Sequence, residues 1–348
     1  MTLKSYPIIR GAVGVFLGSL VLYLLFKRVS PLVLLVELAQ TDWVKLVWAV
    51  AFIGLSYACR AALWRALLYQ FHNYNYGAVL RSTMIGYFVN NILPARLGDV
   101  TRGVSLYLTR GGNSGFIFGT LALERVLDVS ILLVLLGMLL VYLNLHYVWL
   151  VRSVAILGSL VIAFFTMTAI LKWLVQRESP LPLLLMRAKE WVSRFTLLKN
   201  RGAFVANLGN SMSLGNARRG IPWLAITWFV TFWGLYFVLD SLHLTRQIGL
   251  LQVALILSIA SLGLAIPSLP ASLGTYQAAF IFGAMLVGVP ENSALSASFL
   301  YQGLWVAITS ITGLISMAWE GVSFKKLLTR MSDQENDGML PKFLSRWV

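Results

Sequence analysis

Apolar runs of about twenty residues alternate with short polar stretches along most of the chain. The long runs are 8–26, 44–70, 116–143, 148–171, 221–242 and 294–319. Each can cross a ~30 Å hydrocarbon core, which takes ~20 helical residues at 1.5 Å apiece. Two further runs are shorter, 78–93 and 250–266, and stop at Pro94 and Pro267. A second helical stretch follows each break, at 99–110 and 275–289. The pattern predicts an all-α polytopic membrane helix bundle of eight hydrophobic segments: six full spans and two Pro/Gly-broken re-entrant hairpins. Matching interrupted segments in two halves of a chain point to a transporter-like binding site. Ordinary proline-capped helix ends are the plainer alternative.

The loop Lys172–Arg219 carries nine Lys/Arg against two acids. By the positive-inside rule it is cytoplasmic, and Lys325, Lys326, Arg330, Lys342 and Arg346 put the tail on the same side. The turn Asn144–Tyr147 has neither Lys nor Arg and suits the outer face. Full crossing by both broken segments, with an external N-terminus, satisfies the charge rule nearly as well as the hairpins do. The hairpins are preferred because 99–110 carries Asp99, Arg102 and Arg110, which cannot face lipid along that length. Irregular backbone at depth is tolerated where it lines a cavity. The expected organisation is a membrane domain over 1–320, with a basic connector at 172–220, and a polar cytoplasmic tail at 321–348. The connector is either an amphipathic stretch lying on anionic headgroups or a solvated link.

Composition agrees. Of 348 residues 58% are hydrophobic and 12% charged, with a net charge of +15; mean hydropathy is +0.78. A soluble protein has about twice that share of charge. Nucleic acid is not the expected partner, since the basic residues border apolar runs and form no soluble basic face. The single cysteine, Cys59, lies in an apolar stretch, so a disulfide scaffold is excluded. Segment 8–26 is longer than a signal-peptide core and no A-x-A site follows it, so it reads as a retained first helix.

Charges at depth narrow the chemistry, because each costs about 2.5–3.5 kcal/mol at a helix centre on insertion scales. Glu124, Arg125 and Asp128 fall in one span, with Asp128 about 18 Å along the helix from Phe116. Glu124 and Asp128 share a face at i,i+4, and Arg125 pairs with Asp128 at i,i+3. They form either an internal lock between helices or the wall of a polar cavity. Arg60 lies about 16 Å from the Phe71 end of its span; it either holds a lipid phosphate or neutralises Asp128.

The break Asn90-Asn-Ile-Leu-Pro-Ala-Arg-Leu-Gly-Asp-Val-Thr-Arg102 is the densest polar segment. Pro94 ends the first helix, Gly98 permits a tight turn and Asp99 is placed to cap the next helix. Arg96 and Arg102 flank that helix N-terminus, an anion site unless the loop is merely interfacial. The second break, Ile266-Pro-Ser-Leu-Pro-Ala-Ser-Leu-Gly-Thr-Tyr-Gln277, contains Pro267, Pro270 and Gly274 and no charge. It offers hydroxyls, amides and a helix start near Gln277. No phosphate-binding Gly-rich loop is present. His72, His146 and His243 sit at segment edges, so no metal site and no cofactor is expected. No nucleophile–base motif stands out, so an enzyme is not the expectation.

The run Asn91-Ile-Leu-Pro-Ala-Arg-Leu-Gly-Asp-x-x-Arg102, followed by Leu123-Glu-Arg-Val-Leu-Asp128, resembles the signature of the lysylphosphatidylglycerol synthase transmembrane-region family of flippase-like membrane proteins. The later Pro-x-x-Leu-Gly break, Gly288-Val-Pro and the Ala/Ser-rich last helix are similar too. The likeness covers roughly 10–320. It implies translocation of a membrane lipid in the bacterial inner membrane, without the aminoacyl-transferase domain of larger members. It also implies working roles for Arg96, Asp99, Arg102, Glu124, Arg125 and Asp128. Relatives carry a glutamate shortly after the second-break glycine; Gln277 stands here and leaves that hairpin uncharged. The expected function is to bind and flip an anionic or phosphate-linked lipid, with Arg96, Arg102 and Arg60 on the phosphate. The alternatives are an intramembrane lipid-phosphate transferase and a scaffold for an envelope glycolipid assembly. The expected partners are membrane lipids and a glycosyltransferase or envelope-synthesis protein.

Overall fold

The computed structural model describes residues 39–93, 97–145, 147–176, 210–211, 214–264 and 269–322. The first span 8–26, Pro94, Arg96, Pro267, most of the basic connector and nearly all of the tail lie outside the described residues. Among the described residues the chain is all-helical, as the sequence predicts. The helices are α1 (Trp43–Leu68), α2 (Tyr76–Ile92), α3 (Leu97–Arg110), α4 (Ser114–Tyr142), α5 (Val148–Gln176), α6 (Leu214–Ser241), α7 (Leu250–Gly263), α8 (Thr275–Met285) and α9 (Glu291–Glu320). Four of them, α1, α4, α6 and α9, are long and apolar enough to cross a membrane; α5 has 29 residues.

Local chemistry fixes several boundaries. Asp42 caps α1 by accepting from the amides of Val44 and Lys45. Asn75 and Asn113 do the same for α2 and α4. Gly321 ends α9 in the left-handed region, φ 61°. Two predicted limits move. α5 runs on to Gln176 and α6 begins at Leu214, carrying Pro222 inside it, so both edges of the 172–220 stretch are helix.

The two ends of the bundle are marked by ion pairs. At one, the Asp42 amide donates to the Ser241 carbonyl and Lys45 pairs with Asp240, so α1 and α6 run antiparallel. At the other, Glu320 takes Arg81 of α2 at 2.5 Å and Arg110 of α3 at 3.0 Å. Helices α2 and α3 therefore leave from and return to the Glu320 end, as a hairpin. The second hairpin, α7–α8, opens at the opposite end: Trp149, at the start of α5, meets Phe282 near the end of α8. The turn Pro270–Ser272 between α7 and α8 packs on α2. The hairpins thus enter from opposite ends, and the described residues beside the two breaks, Leu93 in one and Leu264, Leu269, Ala271 and Ser272 in the other, line one interior cavity.

Close backbone approach makes this possible. A Cβ on Gly98 would lie 1.9 Å from the Gly86 carbonyl oxygen. Gly98 is therefore a contact glycine inside α3 and not the turn residue expected from its place after Pro94. In the second hairpin a Cβ on Gly263 would lie 2.3 Å from that of Ala279. Around the outside, Trp48, Val134, Met138, Ile156, Leu160, Phe229, Ile311 and Leu314 are exposed. Such an apolar shell suits hydrocarbon and would be untenable in water.

Candidate functional site

Where the breaks meet, a cavity of about 190 Å³ opens between α1, α2, α4, α6, α7, α9 and the Pro270–Ser272 turn. Its charged wall consists of Arg60, Arg125 and Asp128, with Tyr57, Tyr87, Asn90, Asn91, Trp228, Tyr301 and Trp305 nearby on the lining. These side chains come from elements far apart in sequence. Arg60 projects from the middle of α1, and Arg125 and Asp128 from one face of α4.

A continuous ladder of polar contacts starts at the first break and runs into the bundle. The Asn90 side-chain carbonyl accepts from the Gly98 amide at 2.7 Å, and its amide reaches Asp99 at 3.5 Å. Asp99 pairs with Arg125 at 3.1 Å. Arg125 reaches Asp128 at 3.5 Å, and Asp128 takes Arg60 at 2.6 Å. Trp228 donates its indole N–H to the other Asp128 oxygen at 3.1 Å. Behind them Glu124 accepts from Arg102 at 3.0 Å and lies 3.5 Å from Arg60. The Arg102 guanidinium sits 4.0 Å from the Trp64 ring centroid. Side-chain exposure falls from 35% at Arg125 to 11% at Arg60, 2% at Arg102 and 0% at Glu124. Among the described residues three guanidiniums face three carboxylates, so these six side chains are together formally neutral.

The predicted residues therefore divide. Arg60, Arg125 and Asp128 line the cavity. Asp99 supports Arg125 from within the first turn of α3; it is inside that helix and not ahead of it as a cap. The trans contact from Asn90 satisfies the Gly98 amide instead. Arg102 faces away from the cavity, sealed between Trp64 and Glu124. It is buried and is not among the residues that line the cavity. Two of its nitrogens and one Glu124 oxygen are buried without a protein partner, which suits ordered water in a polar site.

In the second hairpin Pro270 begins the 3₁₀ turn Pro270–Ser272, where Ala271 and Ser272 adopt positive φ of 56° and 61°. Gly274, at φ 87°, makes the reversal into α8. Gln277 is fully buried. Its carbonyl takes the Gly274 amide at 2.8 Å and its NH₂ donates to Gln302. Gln302 in turn donates to the Ala271 carbonyl at 2.7 Å. Two neutral amides thus hold the irregular turn. Gln302, Trp64, Trp228 and Asn90 are parts of the site that sequence reasoning did not single out. Asn90 alone carried a signal, as the start of the polar run. Among the described residues no three His, Cys, Asp or Glu side chains come together as metal ligands would.

An opposed pair of broken helical hairpins around a charged interior cavity defines a polytopic α-helical membrane protein. Residues 11–313 match the lysylphosphatidylglycerol synthase TM region family, and the chain belongs to it. That membership fits a function connected with membrane lipids. A comparison with curated proteins finds no match.

Proposed function

We propose that the protein binds the headgroup of an anionic or phosphate-linked lipid in the central cavity and moves it across the bilayer. The observation that carries this reading is the neutral Arg–carboxylate cluster where two opposed hairpin breaks meet. At about 190 Å³ the cavity is small beside the ~300–1,000 Å³ of pockets for drug-sized ligands. It suits a headgroup whose acyl chains stay in the surrounding hydrocarbon. Arg60 and Arg125 present guanidiniums to the phosphate, with bidentate geometry available. Asp128 holds Arg60 while the site is empty and gives it up when a phosphate arrives. The Arg102–Glu124 pair underneath fixes α3 against α4. On the positive-inside argument the Glu320 end faces the cytoplasm of a bacterial inner membrane. The candidate cargoes are a modified phospholipid and a polyprenyl-phosphate-linked sugar.

The test is reconstitution into liposomes with a panel of labelled lipids, scoring translocation and chemical conversion together. Wild type should move at least one phosphate lipid, and Arg60→Gln should abolish that movement. A lipid chemically altered in the same vesicles would replace transport by a transferase reading. Movement unaffected by both Arg60→Gln and Arg125→Gln would remove the cavity from the mechanism.

A further inference from the structure

A second and larger hollow lies on the other side of α1 from the central cavity. It is a groove of about 590 Å³ between α1, the start of α2 and the beginning of α6. Residues Tyr57 and Arg60 of α1 point to the cavity, whereas Ala58, Ala62 and Ala66 line the groove. The separation follows from helix geometry, since residues four apart share a face. The small side chains leave the hollow; Leu55 and Trp223 make its walls apolar. Only its Glu320 end is charged. There Arg65 and Arg219 face the groove.

Both guanidiniums are positioned without being neutralised. Arg65 is held by the Tyr74 carbonyl at 2.9 Å and the Asn73 side-chain oxygen at 3.3 Å, both uncharged. Arg219 lies 5.6 Å from the Tyr69 ring centroid. Neither is in an ion pair with any described residue, and among the described residues no acid lines the groove. From Arg65 down to Leu55 is ten residues of helix, about 15 Å. That equals one leaflet of a ~30 Å hydrocarbon core.

We infer that this groove is a lateral binding site for an anionic glycerophospholipid of the leaflet at the Glu320 end. Its phosphate sits between Arg65 and Arg219, and one acyl chain lies along Ala66, Ala62 and Ala58 towards Leu55. The site is independent of the proposed transport cavity and needs no translocation. Charge decides the occupant. The apolar segment 8–26 is the other body able to cover the groove, but Lys4 precedes it, Arg10 lies near its start, and Lys27 and Arg28 follow its other end. Seated there, it would set further cations against two unneutralised guanidiniums, whereas a phosphate neutralises them.

The experiment uses the full chain in nanodiscs doped with phosphatidylglycerol bearing a photoactivatable acyl chain, and in a parallel set with the matched phosphatidylcholine probe. Crosslinked peptides are mapped by mass spectrometry. Phosphatidylglycerol should label the 55–69 and 219–223 peptides well above phosphatidylcholine. Arg65→Gln with Arg219→Gln should weaken that labelling roughly thirtyfold, about 2 kcal/mol at 1.4 kcal/mol per decade. Arg219→Gln alone should give an intermediate loss. Ala62→Leu, which fills the groove and keeps the charges, should shift the acyl crosslinks away from Ala58 and Leu55. Equal labelling by the two probes, or labelling that survives both the double variant and the filled groove, would overturn the site. So would a disulfide formed in high yield between cysteines placed at positions 15 and 62, which would give the groove to segment 8–26. None of these results bears on whether the central cavity carries lipid.

Discussion

Replacing Arg102 by methionine asks what the sealed half of the charge cluster contributes. Glu124 is fully buried, and Arg102 is its nearest cation at 3.0 Å; Arg60 follows at 3.5 Å and Arg125 at 4.0 Å. Removing one partner of a buried pair typically costs about 3–5 kcal/mol because the remaining charge is left uncompensated. The two further guanidiniums soften this, so the expected loss lies at the low end, about 3 kcal/mol. At roughly 2–4 °C per kcal/mol for domains of 150–250 residues, the melting midpoint should fall by about 6 °C or more. The double change Arg102→Met with Glu124→Leu removes one positive and one negative charge together. Arg60, Arg125, Asp99 and Asp128 then remain, still neutral. Stability should recover to within about 1 kcal/mol of wild type, since well-packed apolar pairs replace buried ion pairs at little cost. Lipid movement should recover too, because every charged residue on the cavity wall is intact. The assay is thermal unfolding in detergent followed by tryptophan fluorescence, beside translocation in liposomes for the same preparations. A single variant as stable as wild type would refute the buried-pair argument. A stable double variant that moves no lipid would refute the division of the cluster into a structural and a working half.

Other variants probe the remaining parts. Arg60→Gln leaves Asp128 with the Trp228 indole and the more distant Arg125; lipid movement should drop at least a hundredfold while the protein still purifies folded, and rates near wild type would count against Arg60. Gly98→Ala forces a Cβ to within 1.9 Å of a backbone oxygen that cannot rotate away; it should cost about 3 kcal/mol, whereas Gly303→Ala, which meets nothing within 4 Å, should stay within about 0.5 kcal/mol of wild type on the same melting curves. Gln277→Glu removes the donor to Gln302 and sets two acceptors face to face; turning the Gln302 amide would then strip the Ala271 carbonyl of its partner. Unfolding should come about 1–3 kcal/mol earlier at neutral pH, and an unchanged midpoint would show that the amide pair is not what holds the turn.

The sequence made the hairpins legible because proline and glycine interrupt apolar runs too short to cross, and the all-helical class followed from the run lengths. Contacts within one helix were legible as well: Arg125 and Asp128 are three apart, and spacing alone brings them together. The depth of Arg60 made it a possible partner for Asp128, and the two do pair. What stayed hidden depends on how helices are rotated about their axes. A surface helix shows its rotation through an apolar stripe, but α1, α4 and α7 are apolar on nearly every side. Nothing in their periodicity says that Trp64 covers Arg102, or that Glu124 faces α3. The same holds for Glu320, whose partners Arg81 and Arg110 lie more than two hundred residues away. Asp99 was misplaced by a different cause. A residue after Pro-x-x-x-Gly reads locally as a cap, but α3 already runs from Leu97, which puts Asp99 inside its first turn. Local capping logic cannot see that the helix starts before the glycine.

The charge balance of the cluster bears on which lipids the proposed cavity accepts. Among the described residues three guanidiniums already match three carboxylates, so a phosphodiester entering alone adds one negative charge that these residues do not match. Uncompensated charge at bilayer depth costs several kcal/mol. A headgroup that carries its own cation beside the phosphate enters without that cost: the phosphate takes Arg60, and the headgroup cation takes the Asp128 carboxylate that Arg60 releases. The second hairpin cannot share this exchange, because Gln277 and Gln302 are neutral and committed to each other, to the Gly274 amide and to the Ala271 carbonyl. Charge exchange is therefore confined to the α1–α4 side of the cavity. On this reasoning an aminoacylated or otherwise amine-bearing phospholipid is favoured over a polyprenyl-phosphate sugar, which brings negative charge and no cation. The order of rates across the lipid panel decides between them, and a faster polyprenyl-phosphate lipid would mean that the cluster does not remain neutral when loaded.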